Sequence, residues 1–192
     1  MERFFMSQLK YTLIVFLCFI LSGCASMGSG TKEEKKKKIL AMEKEVLAQL
    51  YQKKPDVKSQ IKSASGYAVF SNANVNLILI AAGTGYGVVT ENKTGKKTYM
   101  NMAEGGVGLG LGAKDYRIVM IFHKDSAIES FLESGWKSGA NADASAKAIN
   151  KGGEFSGEAY SGDVSVYTFT KTGLALQATI KGTKFWKDKN LN

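Results

Sequence analysis

The stretch Gly105-Gly106-Val107-Gly108-Leu109-Gly110-Leu111-Gly112 alternates glycine with aliphatic residues from Gly106 onward. In an extended strand Val107, Leu109 and Leu111 point to one side, while Gly106, Gly108, Gly110 and Gly112 leave bare backbone on the other. Glycine weakens a strand interior through its entropic cost, so this register predicts that something approaches the backbone closely. Gly83-Thr84-Gly85-Tyr86-Gly87 repeats the device upstream. The close neighbour can be a second strand, a helix or an acyl chain, and packing is the commoner use of strand glycine. A dinucleotide fingerprint would need Gly-x-Gly-x-x-Gly opening a helix, and the alternation here continues as a strand instead. There is no Gly-Lys-Ser/Thr phosphate loop either.

Working outward, residues 67–70, 75–81, 85–91 and 98–103 read as short β segments. The polar Glu91-Asn92-Lys93-Thr94-Gly95-Lys96 forms a hairpin turn between the last two. A break is expected at Ala113-Lys114-Asp115, before an aliphatic strand over 116–122. Asp125 or Ser126 caps a helix, Ser126 and Glu129 match a capping box, and Ala127, Ile128, Phe131 and Leu132 form its buried side up to Gly135. Residues 136–153 are poor in large apolar side chains and read either as a tightly packed strand or as a long loop. Residues 164–170 and 174–180, joined by Lys171-Thr172-Gly173, predict a closing hairpin. The tail over 181–189 interleaves Lys181, Lys184, Lys187 and Lys189 with Phe185 and Trp186. That composition suits a membrane interface, although strand alternation lets only one of the two rings face inward.

Upstream of the strands, residues 32–54 predict a helix. Ile39, Leu40, Met42, Val46, Leu47, Leu50 and Tyr51 fall on about half of the helical wheel. Such a face either packs on the domain's own sheet, the more frequent case, or lies on a bilayer with Lys35, Lys36, Lys37 and Lys38 touching headgroups. Pro55 ends the helix and Asp56 caps a second, short one through Val57, Ile61 and Ala64. Helices bracketing runs of adjacent strands argue for a single α+β domain. Its sheet is mostly antiparallel and twisted, either open or barrel-like, with an N-terminal amphipathic helix and one or two packing helices.

The first residues are of another kind. Arg3 and Lys10 precede an apolar run over 11–21, followed at once by Leu21-Ser22-Gly23-Cys24. A basic start, an apolar run and a small-residue cleavage site form an export signal, and the run is short for a membrane-spanning helix. The last four residues resemble the lipobox of bacterial lipoproteins. That resemblance implies a signal peptide over 1–23, diacylglycerol modification of Cys24, and a short tether over 24–31. Ala25 and Ser26, with no Asp after the cysteine, resemble lipoproteins passed to the outer membrane of a Gram-negative host. The only other cysteine, Cys18, lies in the signal segment, so the mature chain has no thiol for a disulfide or a metal.

The formal net charge is +9. Arg3, Lys10 and Glu2 contribute +1, and residues 31–62 hold ten lysines and five acids, hence +5 of the remaining +8. In a cytoplasmic protein such an excess would suggest nucleic acid. An exported, acylated chain instead meets anionic headgroups, so no nucleic-acid partner is expected. His123 is the only histidine and has no cysteine or second histidine to work with. The carboxylates after residue 103 are scattered over turns and helix starts. No enzyme activity, metal or cofactor is expected.

The ordered set Ser65-Gly66-Tyr67-Ala68-Val69-Phe70, Gly85-Tyr86-Gly87-Val88-Val89, the glycine strand through Ala113, the strand before Ala127-Ile128 and Phe131-Leu132, and Gly173-Leu174 with Gly182-Thr183 resembles the SYLF lipid-binding domain family. The resemblance covers residues 51–192 of a domain over 32–192. It implies a non-catalytic lipid-binding module. Eukaryotic relatives bind phosphoinositides and actin, whereas bacterial ones are commonly lipoproteins whose envelopes lack both. Basic residues near the domain start are implicated in membrane contact, and Lys53, Lys54, Lys58 and Lys62 are the positions here that match.

Together these readings lead to an outer-membrane lipoprotein on the periplasmic face, anchored by acyl chains at Cys24. Its domain is expected to bind anionic headgroups through Lys35 to Lys38, Lys53, Lys54, Lys58 and Lys62, with Lys184, Trp186 and Lys187 of the tail. The alternative is an envelope interaction protein that docks a protein partner while the acyl anchor alone holds the membrane.

Overall fold

The computed structural model describes residues 30–135, 158–161, 163–170 and 179–192. The signal segment 1–23, Cys24 and the segment 136–153 lie outside them. Three helices, α1 (Lys32–Lys53), α2 (Val57–Ser63) and α3 (Asp125–Ser134), accompany strands β1 (Gly66–Glu91), β2 (Lys97–Phe122), β3 (Glu158–Ser161), β4 (Val164–Thr170) and β5 (Thr179–Lys187). All pairings are antiparallel, in the order β1-β2-β4-β3, with β5 also on β2. Among the described residues β1 and β3 do not pair, so this is an open α+β sheet rather than a barrel.

The expected short strands are segments of two long ones. β1 and β2 pair from Gly66↔Phe122 to Thr90↔Lys97 across the turn that contains Gly95, whose φ is 69°. The break expected at Ala113-Lys114-Asp115 is absent. These residues pair with Val75, Asn74 and Ala73, and Asp115 forms an ion pair with Arg117, two positions along the same strand face. Charged residues here mark a strand face, not a turn.

A straight strand of 26 residues would run about 86 Å. The two ends of β1 nevertheless meet. A Cβ built on Gly66 would overlap the Thr90 carbonyl oxygen, and one on Gly87 would overlap the Val69 carbonyl oxygen and the Phe70 ring. The Asn92 N–H also donates to the Ser65 carbonyl at 2.9 Å. The ribbon therefore doubles back on itself. A register shift between Ile78 and Ile80, near the midpoint of β1, supplies a bend, because an extra residue kinks one strand against its partner.

The glycine stretch lies opposite that midpoint, Gly105 pairing with Ala82 and Gly112 with Asn76. Its first residues are flanked on the other side by β5, from Gly105↔Gly182 to Gly108↔Thr179. The expectation of close backbone approach holds at Gly85 and Gly87; the surroundings of Gly106, Gly108, Gly110 and Gly112 lie outside what the structure describes, and a Cβ on Gly105, just before them, would meet nothing within 4 Å.

Between the folded halves lies the main core. Ala68, Phe70, Ile118, Met120 and Phe122 from one half meet Val89, Met100 and Met102 from the other, closed by Ile128 and Phe131 of α3 and Phe185 of β5. Phe185 stacks at 4.7 Å from Phe70 and 5.5 Å from Phe131, between ring centroids. The expected inner side of α3 is thus correct, with Ala127 and Leu132 partly buried. Its expected caps are not: Lys124 occupies the N-cap position with no side-chain capping bond, and Asp125 pairs instead with Lys93. Gly135, with φ 61°, terminates the helix as expected.

Of the expected closing hairpin, the turn 171–173 and residues 174–178 lie outside the described residues. β4 and β5 both pair with β2, at 116–122 and 100–108 respectively, so they follow one another along a single edge. Residues 181–187 of the expected tail are part of β5.

The opposite sheet face is covered by α1. Thr31 caps it through a reciprocal box, its Oγ1 accepting from the Glu34 N–H at 3.2 Å while Glu34 accepts from the Thr31 N–H at 2.9 Å. Ile39, Met42, Val46 and Leu50 are buried, and Leu40, Leu47 and Tyr51 are half-buried. The apolar face therefore packs on the protein's own sheet, the first of the two readings. Asp56 precedes α2 as expected, but its carboxylate makes no cap and accepts from the Gln60 amide at 3.1 Å.

Candidate lipid-facing surface

With its apolar face spent on the sheet, α1 offers solvent only its polar side. Lys37 and Lys38 are exposed, while Lys35 and Lys36 are half-buried. The Lys36 ammonium lies 5.5 Å from the centroid of the Tyr99 ring and 3.8 Å from a Glu33 oxygen. Tyr99 is tied in turn to the end of the chain. Its N–H donates to the Asn192 side chain at 2.9 Å, and its carbonyl accepts from the Asp188 N–H at 3.0 Å. Met100, the next residue, pairs with Lys187, and Asn101 with Trp186. The structure thus brings the start of α1 beside the end of β5, two sites far apart in sequence.

Phe185 is 3% exposed and Trp186 40%, so alternation resolves the aromatic pair into one core ring and one surface ring. Lys184 and Lys187 are exposed beside it. Directly opposed residues of an antiparallel pair share a sheet face. Trp186, Asn101 and Tyr86 consequently form one row, and Lys184, Ala103 and Thr84 the next, on the face that carries Tyr99.

The other basic group is elsewhere. Lys53 ends α1, Lys58 and Lys62 are exposed on α2, and the Lys54 ammonium lies 5.5 Å from the Tyr167 ring centroid. Eighteen residues of helix separate Lys36 from Lys54, about 27 Å. The expected lysines are two clusters, not one patch. Cys24, the expected acylation site, lies outside the described residues.

Sequence reasoning missed a buried carboxylate. Glu43 is 6% exposed and receives the Tyr67 hydroxyl at 3.0 Å, the Thr90 hydroxyl at 2.9 Å and the Lys97 ammonium at 2.8 Å. Tyr67 belongs to the beginning of β1, Thr90 to its end and Lys97 to the start of β2. One side chain of α1 thereby clamps the ribbon closed. Burial, and then the negative charge of Glu43, pushes the Tyr67 hydroxyl pKa up to about 12. The signal was visible in the spacing: Glu43 is four residues after Ile39 and three before Val46, inside the apolar stripe. Donors surround this carboxylate on three sides, an arrangement suited to holding structure. A second buried acid, Glu104, accepts from the Asn72 amide at 2.8 Å and from the Thr183 hydroxyl at 3.3 Å, joining β1, β2 and β5. His123 bonds Ser165 at 2.8 Å between β2 and β4, consistent with a structural role. Among the described residues no group of three or more His, Cys, Asp or Glu side chains could hold a metal, and no helix is long and apolar enough to cross a membrane.

Two comparisons with known proteins agree with this picture. The family model Ysc84, described as "Las17-binding protein actin regulator", matches residues 103–192, from the glycine strand to the end of β5 and beyond. The chain is 34% identical over 161 residues to Beta cell expansion factor A of Aeromonas veronii. The match takes in 84% of this chain and 60% of that protein, so the chain spans less than two thirds of the relative's length. The ordered glycine motifs, the doubled β ribbon that carries them and these two matches converge on a Ysc84 (SYLF) domain, matched by the family model over residues 103–192.

Proposed function

We propose that the protein is an outer-membrane lipoprotein, acylated at Cys24, whose SYLF domain binds anionic phospholipid or another envelope lipid without catalysis. The observation that carries the proposal is the exposed lysine array on and around α1, a helix whose apolar face is already used in packing. Such an array reads headgroup charge rather than inserting a greasy helix. The Leu21-Ser22-Gly23-Cys24 sequence and the lipid-binding character of the family support it. The periplasmic face of the outer membrane is the location that fits both.

The test is co-sedimentation of the mature chain carrying Cys24→Ser with vesicles at low ionic strength. Binding that requires phosphatidylglycerol and falls as salt rises is expected. Binding indifferent to lipid charge and salt would sink the electrostatic part. A protein partner recovered in stoichiometric amount, with silent vesicles, would favour an envelope docking protein; the exposed Trp186 is the feature such a partner would grip.

A further inference from the structure

The acyl anchor and the two lysine clusters allow the docking face to be chosen. From the positions just described, we infer that the domain rests on its bilayer through the open end of the sheet face beside the start of α1, centred on Trp186 and Lys184 and flanked by Lys37 and Lys38. The inference rests on the lipid-binding reading above and specifies which surface performs it.

Three observations converge on this face. The chain from Cys24 to Thr31 is seven residues, which at full extension reach no more than about 25 Å. An acylated Cys24 therefore keeps the start of α1 close to the membrane, whereas Lys53 lies about 26 Å from Lys36 along the helix axis, and Lys58 and Lys62 follow it on α2. The second observation is the surface itself. α1 covers this sheet face as far as Tyr99, beyond which Trp186, Lys184 and Thr84 are exposed and Asn101, Tyr86 and Ala103 half-buried, up to an exposed Gly105 and Ala82. A shallow face of small residues rimmed by an exposed indole and a half-buried phenol matches the interfacial zone of a bilayer, where amphipathic rings settle at headgroup level. Charge is the third. Residues 31–38 hold five lysines and two acids, and 184–189 three lysines and Asp188, so this end carries +3 and +2, or +5 in all. Residues 53–62 hold four lysines and Asp56, for +3. The occupant is thus the anionic membrane to which the chain is itself attached.

The experiment uses the mature Cys24→Ser chain with Trp136→Phe, leaving Trp186 as the fluorescent reporter, and vesicles of phosphatidylethanolamine with phosphatidylglycerol. Trp186 emission should shift to the blue on binding and be quenched by lipids brominated near the headgroup. Lys37→Glu/Lys184→Glu should weaken binding about tenfold or more, since each lysine near an anionic surface contributes and each reversal counts twice. Lys53→Glu/Lys58→Glu should leave it within about twofold, because that end stands further from the surface than the Debye length. All four substitutions are at exposed positions, and unchanged melting temperatures confirm folding. If the Lys53/Lys58 pair costs as much as the Lys37/Lys184 pair, or if Trp186 stays unshifted while the protein binds, this face is wrong although lipid binding stands. If the unsubstituted chain binds no anionic vesicle, the functional reading fails and the docking face with it.

Discussion

Replacing Glu43 with alanine is expected to loosen the fold at its point of closure. The carboxylate joins both ends of β1 to the start of β2, through Tyr67, Thr90 and Lys97. Removing one partner of a buried charged pair costs about 3–5 kcal/mol, because the other is left uncompensated. The Lys97 side chain is 33% exposed and can turn toward water, which places the expected loss at the lower end, about 3 kcal/mol. Glu43→Gln keeps the shape and one acceptor, so about 2 kcal/mol is expected. For a domain of this size the alanine variant should melt about 6–12 °C lower. Urea denaturation with an unchanged slope would show that the native state, not the denatured ensemble, is affected. Adding Lys97→Met to Glu43→Gln should restore part of the loss, since neither charge is then stranded, with a coupling of about 1–3 kcal/mol. A loss below about 1 kcal/mol for Glu43→Ala, or strict additivity in the cycle, would refute the clamp.

Other substitutions follow from the same geometry. Gly87→Ala should cost at least about 2 kcal/mol by urea denaturation, because its Cβ would overlap the backbone of Val69, whereas Gly105→Ala should be neutral to slightly stabilising, because nothing lies within 4 Å. Phe185→Ala should lose about 3–5 kcal/mol and Trp186→Ala less than about 1, since the first leaves a core cavity and the second a surface gap. Alkaline pH should destabilise the protein through Tyr67. Its folded pKa of about 12 lies above the ordinary tyrosine value of about 10, so its contribution is complete below about pH 10 and disappears as pH rises toward 12. Stability profiles of Tyr67→Phe should lack that component; an unchanged fall between pH 10 and 12 would contradict the assignment.

Much of this architecture is legible in local sequence, for identifiable reasons. The hairpin turn rests on Gly95 with its positive φ, the end of α3 on Gly135, and the fate of Phe185 and Trp186 on period-two alternation. These are local properties of the backbone. What escapes is long-range. The glycines announce a close approach but do not say whose: Gly85 and Gly87 press on the other end of their own strand, while Gly105 faces open space. The continuity of β1 and β2 was hidden because Asn72, Asn74, Lys114 and Asp115 look like turn residues, though in the sheet they take ordinary paired positions. That β4 and β5 both pair with β2 has no local signal in the sequence. At the candidate surface the lysines were visible individually, but their separation into two clusters depends on the length and placement of α1. Glu43 was legible in principle, as a charge inside an apolar stripe, but its partners lie 24, 47 and 54 residues away.

Lipid binding is the central claim, and the lipid that travels with the protein tests it most directly. The Cys24→Ser chain, exported and purified from the envelope fraction without detergent exchange, can be extracted and its lipid identified by mass spectrometry. Enrichment of anionic phospholipid over the bulk membrane composition, lost after a high-salt wash, is expected. Lipid in bulk proportions that salt does not remove, or a stoichiometric protein partner with no lipid, would contradict the account.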